Sequence, residues 1–324
     1  MSSLQMHLFA MAEAGAARRL EVAAVPQLLQ EKTPFWLDLE GPPHEGIPLL
    51  AQHFPFHPLA LEDCEHNNTQ PKLEEYPDHL FLLLHALNFN VERYILDHLG
   101  IGVFLGASYV VTVHDQPMRS VTAVRDVLDK GGKLLSLGVD RVAHAIIDRF
   151  VDHYFEAIDA IDERLEELEQ AIFSNQTEGI LQPVFDSKKQ LLAMRRMVAP
   201  QREMLSLLMS HDFPFIQASS LPYFRDILDH IYRISERIEM NRDLLTGALE
   251  IHLTQLSNRL GAVMKTLSVI ATIMLPLTFI TGVFGMNFKF IPGLEWPASF
   301  WVLLGFMATL SGVLLYIFGR KKWM

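Results

Sequence analysis

The chain has 324 residues, with 27 Lys and Arg against 38 Asp and Glu and a formal net charge of -11. An acidic chain is not expected to bind nucleic acid, because phosphate binding requires clustered Lys and Arg. Its one cysteine, Cys64, excludes an internal disulfide framework and fits a reducing cytosol. The length is sufficient for about two domains.

Short helices and β-rich apolar runs alternate in the first part of the chain. The predicted strands cover residues 18–25, 35–39, 79–88, 98–105 and 108–112, and the predicted helices cover residues 48–54 and 59–65. Gly and Pro turn signals separate several of these runs. Helices that alternate with strands predict a cytosolic α/β layer domain, expected over residues 1–138.

Long helical patterns follow this domain. Residues 139–221 are expected to form an antiparallel pair, with a strongly acidic first helix and a basic second helix that offer opposite charge to one another or to neighbours. The apolar side of the first helix consists of Val142, Ile146, Phe150, Tyr154, Ile158, Ile161, Leu165 and Leu168. Residues 222–262 are expected to form a cytosolic stalk helix that continues into the next segment, for some 60 residues or roughly 90 Å in all.

Two apolar segments end the sequence. No residue between Lys265 and Lys289 carries a charge, and roughly 20 apolar residues are enough to cross a bilayer as a helix. The predicted spans are residues 263–287 and 296–319, joined by a short external loop over 288–295 and followed by a basic tail over 320–324. The tail begins with Arg320 and Lys321, so the positive-inside rule places both termini in the cytoplasm. Neither span holds an ionisable side chain, which excludes a proton relay within the bilayer.

One stripe of the first span consists of small or weakly polar residues. Steps of three and four place these residues on one helix face, and they are Gly261, Met264, Ser268, Ala271, Leu275, Thr278 and Gly282. Two interpretations stay open: close packing between helices and the wall of a narrow pore. Because two spans per chain cannot enclose a polar pathway, a pore requires several copies around an axis, most simply with cyclic symmetry.

The first span ends in Gly285, Met286 and Asn287. Glycine permits the turn that ends a helix, and Asn287 offers a neutral amide oxygen. A ring of such oxygens can hydrogen-bond the waters of a hydrated cation, which suits Mg²⁺ because this ion gives up its waters reluctantly. Gly and Asn are also ordinary residues at a helix C-terminus, so this triplet alone indicates little.

The surrounding sequence is more specific. Residues 284–288 (FGMNF), after a proline-interrupted span and before a short loop, a second span and a basic tail, resemble the CorA family of magnesium and cobalt transporters. Residues 57–63 (HPLALED), 71–76 (PKLEEY) and 222–230 (PYFRDILDH) resemble the family's cytosolic domain and the start of its stalk helix. The resemblance covers nearly the whole chain.

This resemblance implies a funnel-shaped homopentamer in a bacterial inner membrane, whose first span lines the pore and whose second span packs outside it. Gly285, Met286 and Asn287 would form the selectivity filter for hydrated Mg²⁺, and also for Co²⁺. The residues assigned to the pore lining are Gly261, Met264, Leu267, Ala271, Leu275, Thr278 and Gly282. Leu267 and Leu275 would be the apolar constrictions.

The resemblance further implies that cytosolic Mg²⁺ binds at subunit interfaces through Asp226 and favours the closed state. Asn90 stands where the carboxylate that faces Asp226 is expected, so this regulatory metal site is predicted to be weaker or to use Glu92. Gly261 stands where the family usually has an asparagine at the inner mouth, and Asn258 is the candidate substitute.

Two alternatives remain at this point. Lys289 and Gly293 replace the acidic residues that are common in the external loop, and this keeps a zinc transporter of the ZntB type under consideration. A membrane-anchored scaffold or sensor that does not conduct is the alternative from another class. Neither a phosphate-cradling glycine loop nor a nucleophile–base signature is present, so an enzyme and an organic cofactor are not expected.

Overall fold

The structure is a computed structural model, and it describes residues 3–12, 15–66, 70–90, 95–174, 179–287, 293 and 296–321. It divides into two compact units, Met1–Gly247 and Ala248–Met324. The first unit combines a β-sheet with helices, and the second consists of apolar helix. The predicted fold class, in which an α/β unit is followed by a long helix and two apolar helices, is confirmed.

A seven-stranded sheet forms the centre of the first unit. The strands are β1 (Gln5–Met11), β2 (Ala17–Leu20), β3 (Phe35–Glu40), β4 (Lys72–Glu75), β5 (His79–Asn90), β6 (Ile95–Gly106) and β7 (Tyr109–His114), in the spatial order β2-β1-β3-β7-β6-β5-β4. The neighbours β3 and β7 are parallel, and the other pairs are antiparallel. Every residue of β3 and β7 is buried, as expected for a parallel pair covered on both faces.

Helices α1 (Val25–Glu31), α2 (Pro43–His53) and α3 (Pro58–Glu65) contribute to a core against one face of the sheet. Cys64 of α3 is buried in this core, and its burial raises the pKa of the thiol. The neighbouring strand β6 has Gly102 at this point, where an added Cβ would collide with the Cys64 sulfur. Cys64 is therefore a small buried side chain of this core.

Helices α4 (Arg119–Asp129), α5 (Leu134–Leu137), α6 (Val139–Phe173) and α7 (Leu181–Ser210) complete the first unit, together with the N-terminal part of α8 (Leu221–Phe284). The predicted apolar side of α6 is buried along its whole length. In α8, the buried side chains recur at steps of three and four: Phe224, Ile227, Ile231, Ile234, Ile238, Asn241 and Leu245.

The charges of α6 and α7 are matched by α8. Arg237 of α8 forms ion pairs with Asp159, at 2.7 Å, and with Asp162 of α6. Arg195 of α7 pairs with Glu239 of α8 at 2.8 Å. Of the two possibilities left open by the sequence, the described contacts thus support charge complementarity with a neighbouring helix.

The second unit contains the C-terminal part of α8 and the helix α9 (Ser299–Arg320). By length and composition, both helices are apolar enough to cross a membrane. Helix α8 has 64 residues, close to the length that the helical pattern predicted.

The predicted strand at residues 18–25 is wrong in its second half. Strand β2 ends at Leu20, a short 3₁₀ turn spans Val22–Ala24, and α1 begins at Val25. Pro26 explains the change, because proline lacks an N–H for a sheet ladder but fits the first turn of a helix. The sequence pattern also did not predict β1, α1, β4 and α4, which are regular elements of the unit.

Candidate functional site

The C-terminal end of α8 closes with two backbone hydrogen bonds. The amide of Gly285 donates to the carbonyl of Thr281 at 2.9 Å, and the amide of Met286 donates to Val283 at 3.3 Å. These bonds end the helix at Phe284, and Asn287 follows with an exposed side chain. The orphan carbonyls and the amide of Asn287 together place hydrogen-bond acceptors at this terminus, where the helix dipole is also negative.

The predicted pore stripe is open along the described part of α8. A Cβ added to Gly261 or to Gly282 would meet no atom within 4 Å. The side chains of Met264, Leu267 and Leu275 are 58%, 57% and 71% exposed. Ala271 and Thr278 are exposed as well. Within this chain, therefore, the small residues of the stripe are not used for close packing against another described helix.

Exposure alone does not separate a pore face from a lipid face. Phe279 and Ile270, which lie off the stripe, are also strongly exposed. The two faces differ instead in the size of their side chains. Five of the seven stripe residues are small, namely Gly261, Ser268, Ala271, Thr278 and Gly282, whereas Val269, Ile270, Ile273, Phe279 and Ile280 lie away from the stripe. The small and weakly polar face is the one suited to water, and the large apolar face is suited to lipid.

Threonine hydroxyls of this segment are bonded within the helix. Thr278 donates to the carbonyl of Met274 at 2.9 Å, and Thr281 donates to Leu277 and Thr278, both at 3.0 Å. A hydroxyl whose hydrogen is already used can act toward a further partner as an acceptor. Thr278 therefore offers an oxygen lone pair, and no free donor, on the stripe.

A second candidate site surrounds Asp226 on α8 in the first unit. The side chain of Asp226 is 66% exposed, and its carboxylate lies 3.7 Å from the Nε2 atom of His230 one turn later. The facing part of α6 carries Asp148 and Asp152. Partial burial, followed by the charge of Asp148, raises the pKa of Asp152, although its side chain is exposed. Asp148 and Asp152 of α6 thus repel one another, and His230 of α8, which lies beside Asp226, acts on Asp152 from the neighbouring helix.

The aromatic contacts show how α6 and α8 are held together here. Phe155 of α6 lies edge-on to His230, with ring centroids 5.5 Å apart. His144 of α6 contacts Phe224 in the same geometry at 5.5 Å. Burial, opposed by Asp148, lowers the pKa of His144, so this ring adds no positive charge to the acidic groups near neutral pH.

Several predicted residues are placed outside this region or outside the described chain. Strand β5 ends at Asn90, whose side chain lies outside the described part of the structure, as does Glu92. The loop residues Lys289 and Glu295 also lie outside the described residues. Gly293 is described and has φ = 88°, a backbone conformation that favours glycine.

Asp148 and Asp152 are two members of an acidic series that could concentrate hydrated cations, and the structure brings Asp152 close to His230. In the sequence they belong to an acidic run on α6, which by itself is typical of a solvated helix face. Their proximity to Asp226 and His230 depends on how α6 and α8 pack, and this packing cannot be predicted from a local sequence motif. The spacing of four residues in both pairs was visible, but it is common on exposed helix faces.

Comparison with known proteins identifies the family. A model of the family described as CorA-like Mg²⁺ transporter protein matches residues 31–321. The chain belongs to this family. It is 37% identical over 289 residues to YfjQ of Bacillus subtilis, an alignment that covers 89% of each chain. It is 30% identical over 306 residues to the cobalt/magnesium transport protein CorA of Thermotoga maritima, which covers 94% of this chain and 87% of the relative.

A solved structure of a relative agrees with this assignment. The CorA magnesium transporter from Methanocaldococcus jannaschii has a TM-score of 0.86 to this chain, with 19% identity and 100% of both chains covered. The resemblance to the CorA family is thereby confirmed, and the chain is a divalent cation transporter of the CorA-like type. The zinc alternative has less support. The relative from Thermotoga maritima is named a cobalt/magnesium transport protein, and the one from Methanocaldococcus jannaschii is named a magnesium transporter.

Proposed function

We propose that this protein conducts hydrated Mg²⁺, and also Co²⁺, through a pore formed by several copies of α8. The observation that carries the proposal is the acceptor character of the stripe. Thr278 has its hydrogen bonded to Met274, so its oxygen can act toward a further partner only as an acceptor. The exposed side chain of Asn287 adds an amide oxygen at the end of the helix. The first shell of a hydrated cation presents hydrogen atoms outward, so a lining of neutral acceptors matches it.

The retention of water explains why no charged ligand is needed. Mg²⁺ dehydrates reluctantly and prefers to keep several of its waters. A ring of Asn287 side chains would hold these waters by hydrogen bonds, with Gly285 and Met286 fixing the turn. Below it, Leu267 and Leu275 would form apolar constrictions that close the pathway by excluding water.

We propose a homopentamer as the assembly. The support comes from the open stripe and from the CorA resemblance, since one chain provides two candidate spans and cannot enclose a pathway. The glycines at 261 and 282 leave room in the single chain that a second copy of α8 could occupy near the axis. At the inner mouth, Gly261 provides no side-chain oxygen, and Asn258 would take that role.

The proposed orientation follows the charges that flank the spans. Arg320 ends α9 and Lys321 follows it, and Arg259 precedes the apolar part of α8, so both termini would be cytoplasmic. The first unit would then face the cytosol, and the short segment between α8 and α9 would face outward in a bacterial inner membrane. The unit boundaries proposed from the sequence are residues 1–138, 139–221 and 222–262, followed by the spans at 263–287 and 296–319.

Regulation by cytosolic Mg²⁺ is the second part of the proposal. Asp226 would bind the cation, assisted by Asp148 and Asp152, and by Asn90 or Glu92 from across a subunit interface. The raised pKa of Asp152, caused by partial burial and by Asp148, indicates repulsion that a bound cation would relieve. Such a cation stabilises the state in which these carboxylates are close, and its loss favours the open state.

A flux experiment tests the conduction proposal. Full-length protein in liposomes that contain a Mg²⁺-sensitive dye should lose Mg²⁺ flux by at least about tenfold in Asn287→Ala, equivalent to ~1.4 kcal/mol. The matched control is Ser299→Ala, which removes a polar group at the start of α9 and should leave the flux unchanged. An Asn287→Ala protein as active as the wild type would remove the conduction argument and leave the scaffold alternative.

A further inference from the structure

A network of buried polar side chains connects the parallel strands β3 and β7 at the centre of the sheet. The register pairs Asp38 of β3 with Thr112 of β7, and Glu40 with His114. All four side chains are buried, and Arg125 of α4 reaches them from the neighbouring helix. No part of the proposed transport pathway uses this cluster.

The donor and the acceptor of each hydrogen bond in this network follow from the indole of Trp36, which lies at one end of the network. The Nε1 atom of Trp36 can only donate, and it donates to the Thr112 hydroxyl at 2.9 Å. The Thr112 hydroxyl therefore donates onward to Oδ1 of Asp38, at 2.6 Å. Because Oδ1 accepts this hydrogen, and because Oδ2 lies 3.3 Å from the Arg125 guanidinium, Asp38 is an ionised carboxylate.

His114 is consequently surrounded by acceptors. Its Nε2 atom lies 3.0 Å from Oδ1 of Asp38, and its Nδ1 atom lies 2.7 Å from the carbonyl oxygen of Gln116. A neutral imidazole carries one N–H, whereas both of these contacts require a donor. We propose that His114 is a buried proton-binding site, in which a resident imidazolium joins β3 to the segment after β7.

The same geometry argues against a metal ion at this place, although Asp38, Glu40 and His114 are close enough to one another to hold one. Arg125 occupies the space between the carboxylates, with Nη2 2.8 Å from Oε2 of Glu40. Two carboxylates, one guanidinium and one imidazolium sum to zero charge. A divalent cation would have to displace the guanidinium and the proton, and it would leave Arg125 without its partners.

The other elements around the site contribute one further titratable pair. His7 of β1 lies opposite Asp38 in the register, and its Nδ1 atom is 2.5 Å from Arg19 of β2. Burial and the charge of Arg125 lower the pKa of His7, so it adds no positive charge near neutral pH. Helix α6 also packs against β7, and the buried side chains in its first half are mainly apolar, among them Ala143, Ile146, Ile147 and Phe150.

The pKa shifts of His114 and Asp38 agree with a protonated His114 and an ionised Asp38. Burial alone would lower the pKa of His114, but the charge and hydrogen bond of Asp38, together with the Gln116 carbonyl, raise it above its usual value. Burial alone would raise the pKa of Asp38, but His114, Thr112 and Arg125 hold it below its usual value. Stability from the His114 proton is thus fully present below about pH 6.5 and is lost as the pH rises through the raised pKa.

His79 provides a matched comparison in the same sheet. It is as buried as His114, but it lies among the rings of Phe56, Tyr76 and Phe104 instead of between acceptors. Burial there lowers its pKa to about 4. One sheet thus holds two equally buried histidines, of which His79 is neutral and His114 is charged.

Nitrogen NMR of the full-length protein, labelled with ¹⁵N-histidine and held in lipid, tests the assignment. At a pH about one unit above the ordinary histidine value of ~6.5, one ring should still show two protonated nitrogens. This signal should be absent in His114→Gln and retained in His79→Phe. Absence of any imidazolium signal in the wild type at that pH, or its persistence in His114→Gln, would overturn the proposal.

Two further measurements keep the test independent of whether His114→Gln folds. Asp38→Asn removes the counter-charge, so the imidazolium signal should disappear at a lower pH than in the wild type. Zn²⁺ added to the wild-type protein should leave this signal unchanged. If Zn²⁺ abolishes the signal in wild type and has no such effect in Asp38→Asn, the site binds metal and the proton assignment fails.

Discussion

The two parts of α8 have the same helical backbone but opposite burial. In the first unit, Ile227, Ile231 and Ile234 are almost fully buried, and α6 and α7 contact this part of α8. In the second unit, Leu275 and Phe279 are 71% and 70% exposed. The first part therefore finds its apolar partners within the chain, whereas the second part has its apolar surface available for lipid or for other copies.

This difference separates what one chain accomplishes alone from what requires a membrane and an assembly. Burial in the first unit contributes to folding in the ordinary way, through area removed from water. The exposed surface of the second unit is stable only where the surroundings are apolar, and its small-residue stripe has a role only if other copies enclose it. The two parts should consequently respond differently to the same substitution.

The largest expected effect contrasts two isoleucines of this one helix. Ile234→Ala removes a fully buried side chain and should lower the free energy of unfolding by about 2–5 kcal/mol. Ile270→Ala removes a side chain that is 54% exposed and should change it by less than about 1 kcal/mol. Thermal unfolding of both full-length variants in one detergent measures the difference. Equal destabilisation would mean that Ile270 is buried in the assembled protein.

The next effect concerns the exposed side of the first part of α8. Asp226→Asn should raise, several-fold, the Mg²⁺ concentration that protects the protein from protease, because it removes a carboxylate from the proposed regulatory site. Asp229→Asn, three residues later and also exposed, is the matched control and should leave the protection curve in place. Identical curves for Asp226→Asn and wild type would show that the acidic region around Asp226 does not sense Mg²⁺.

The fold was predictable where periodicity is strong. The buried side of α6 agrees with the positions expected from the sequence, since an apolar stripe at helical spacing fixes the face that packs. Polar or short elements were harder to predict, because their sequences show little apolar periodicity. Strand β4 has the sequence KLEE, without the apolar alternation of a strand, and its pairing with β5 supplies the structure. Tertiary context of this kind cannot be read from a local pattern.

The sites were predictable to a different extent. Gly285, Met286 and Asn287 stand out by motif, and their roles at the pore stay predictions. The proximity of Asp148 and Asp152 to Asp226 required the packing of α6 on α8. The polar chain of Asp38 and His114 required the strand register, because the two residues are 76 positions apart in the chain. A buried polar network joins residues that are far apart in the sequence, so it cannot be predicted from local sequence patterns.

The smallest effect compares two threonines of the second part of α8. Thr278→Val removes an acceptor from the proposed pore stripe and should reduce Mg²⁺ flux by roughly 2- to 10-fold, the equivalent of about 0.5–1.5 kcal/mol for one hydrogen bond. Thr281→Val removes a hydroxyl that also donates to the carbonyl four residues earlier but lies off the stripe. Its flux should match the wild type in the liposome assay.

The comparison is informative because the two substitutions remove hydroxyls in similar surroundings. Both residues are exposed, both lie in the last two turns of α8, and both hydroxyls donate to a carbonyl four residues earlier. A general effect on helix stability would therefore appear in both variants. If both lose flux equally, the acceptor face is not confined to the stripe. If Thr281→Val alone loses flux, the pore faces the other side of α8 and the assignment of the stripe is wrong.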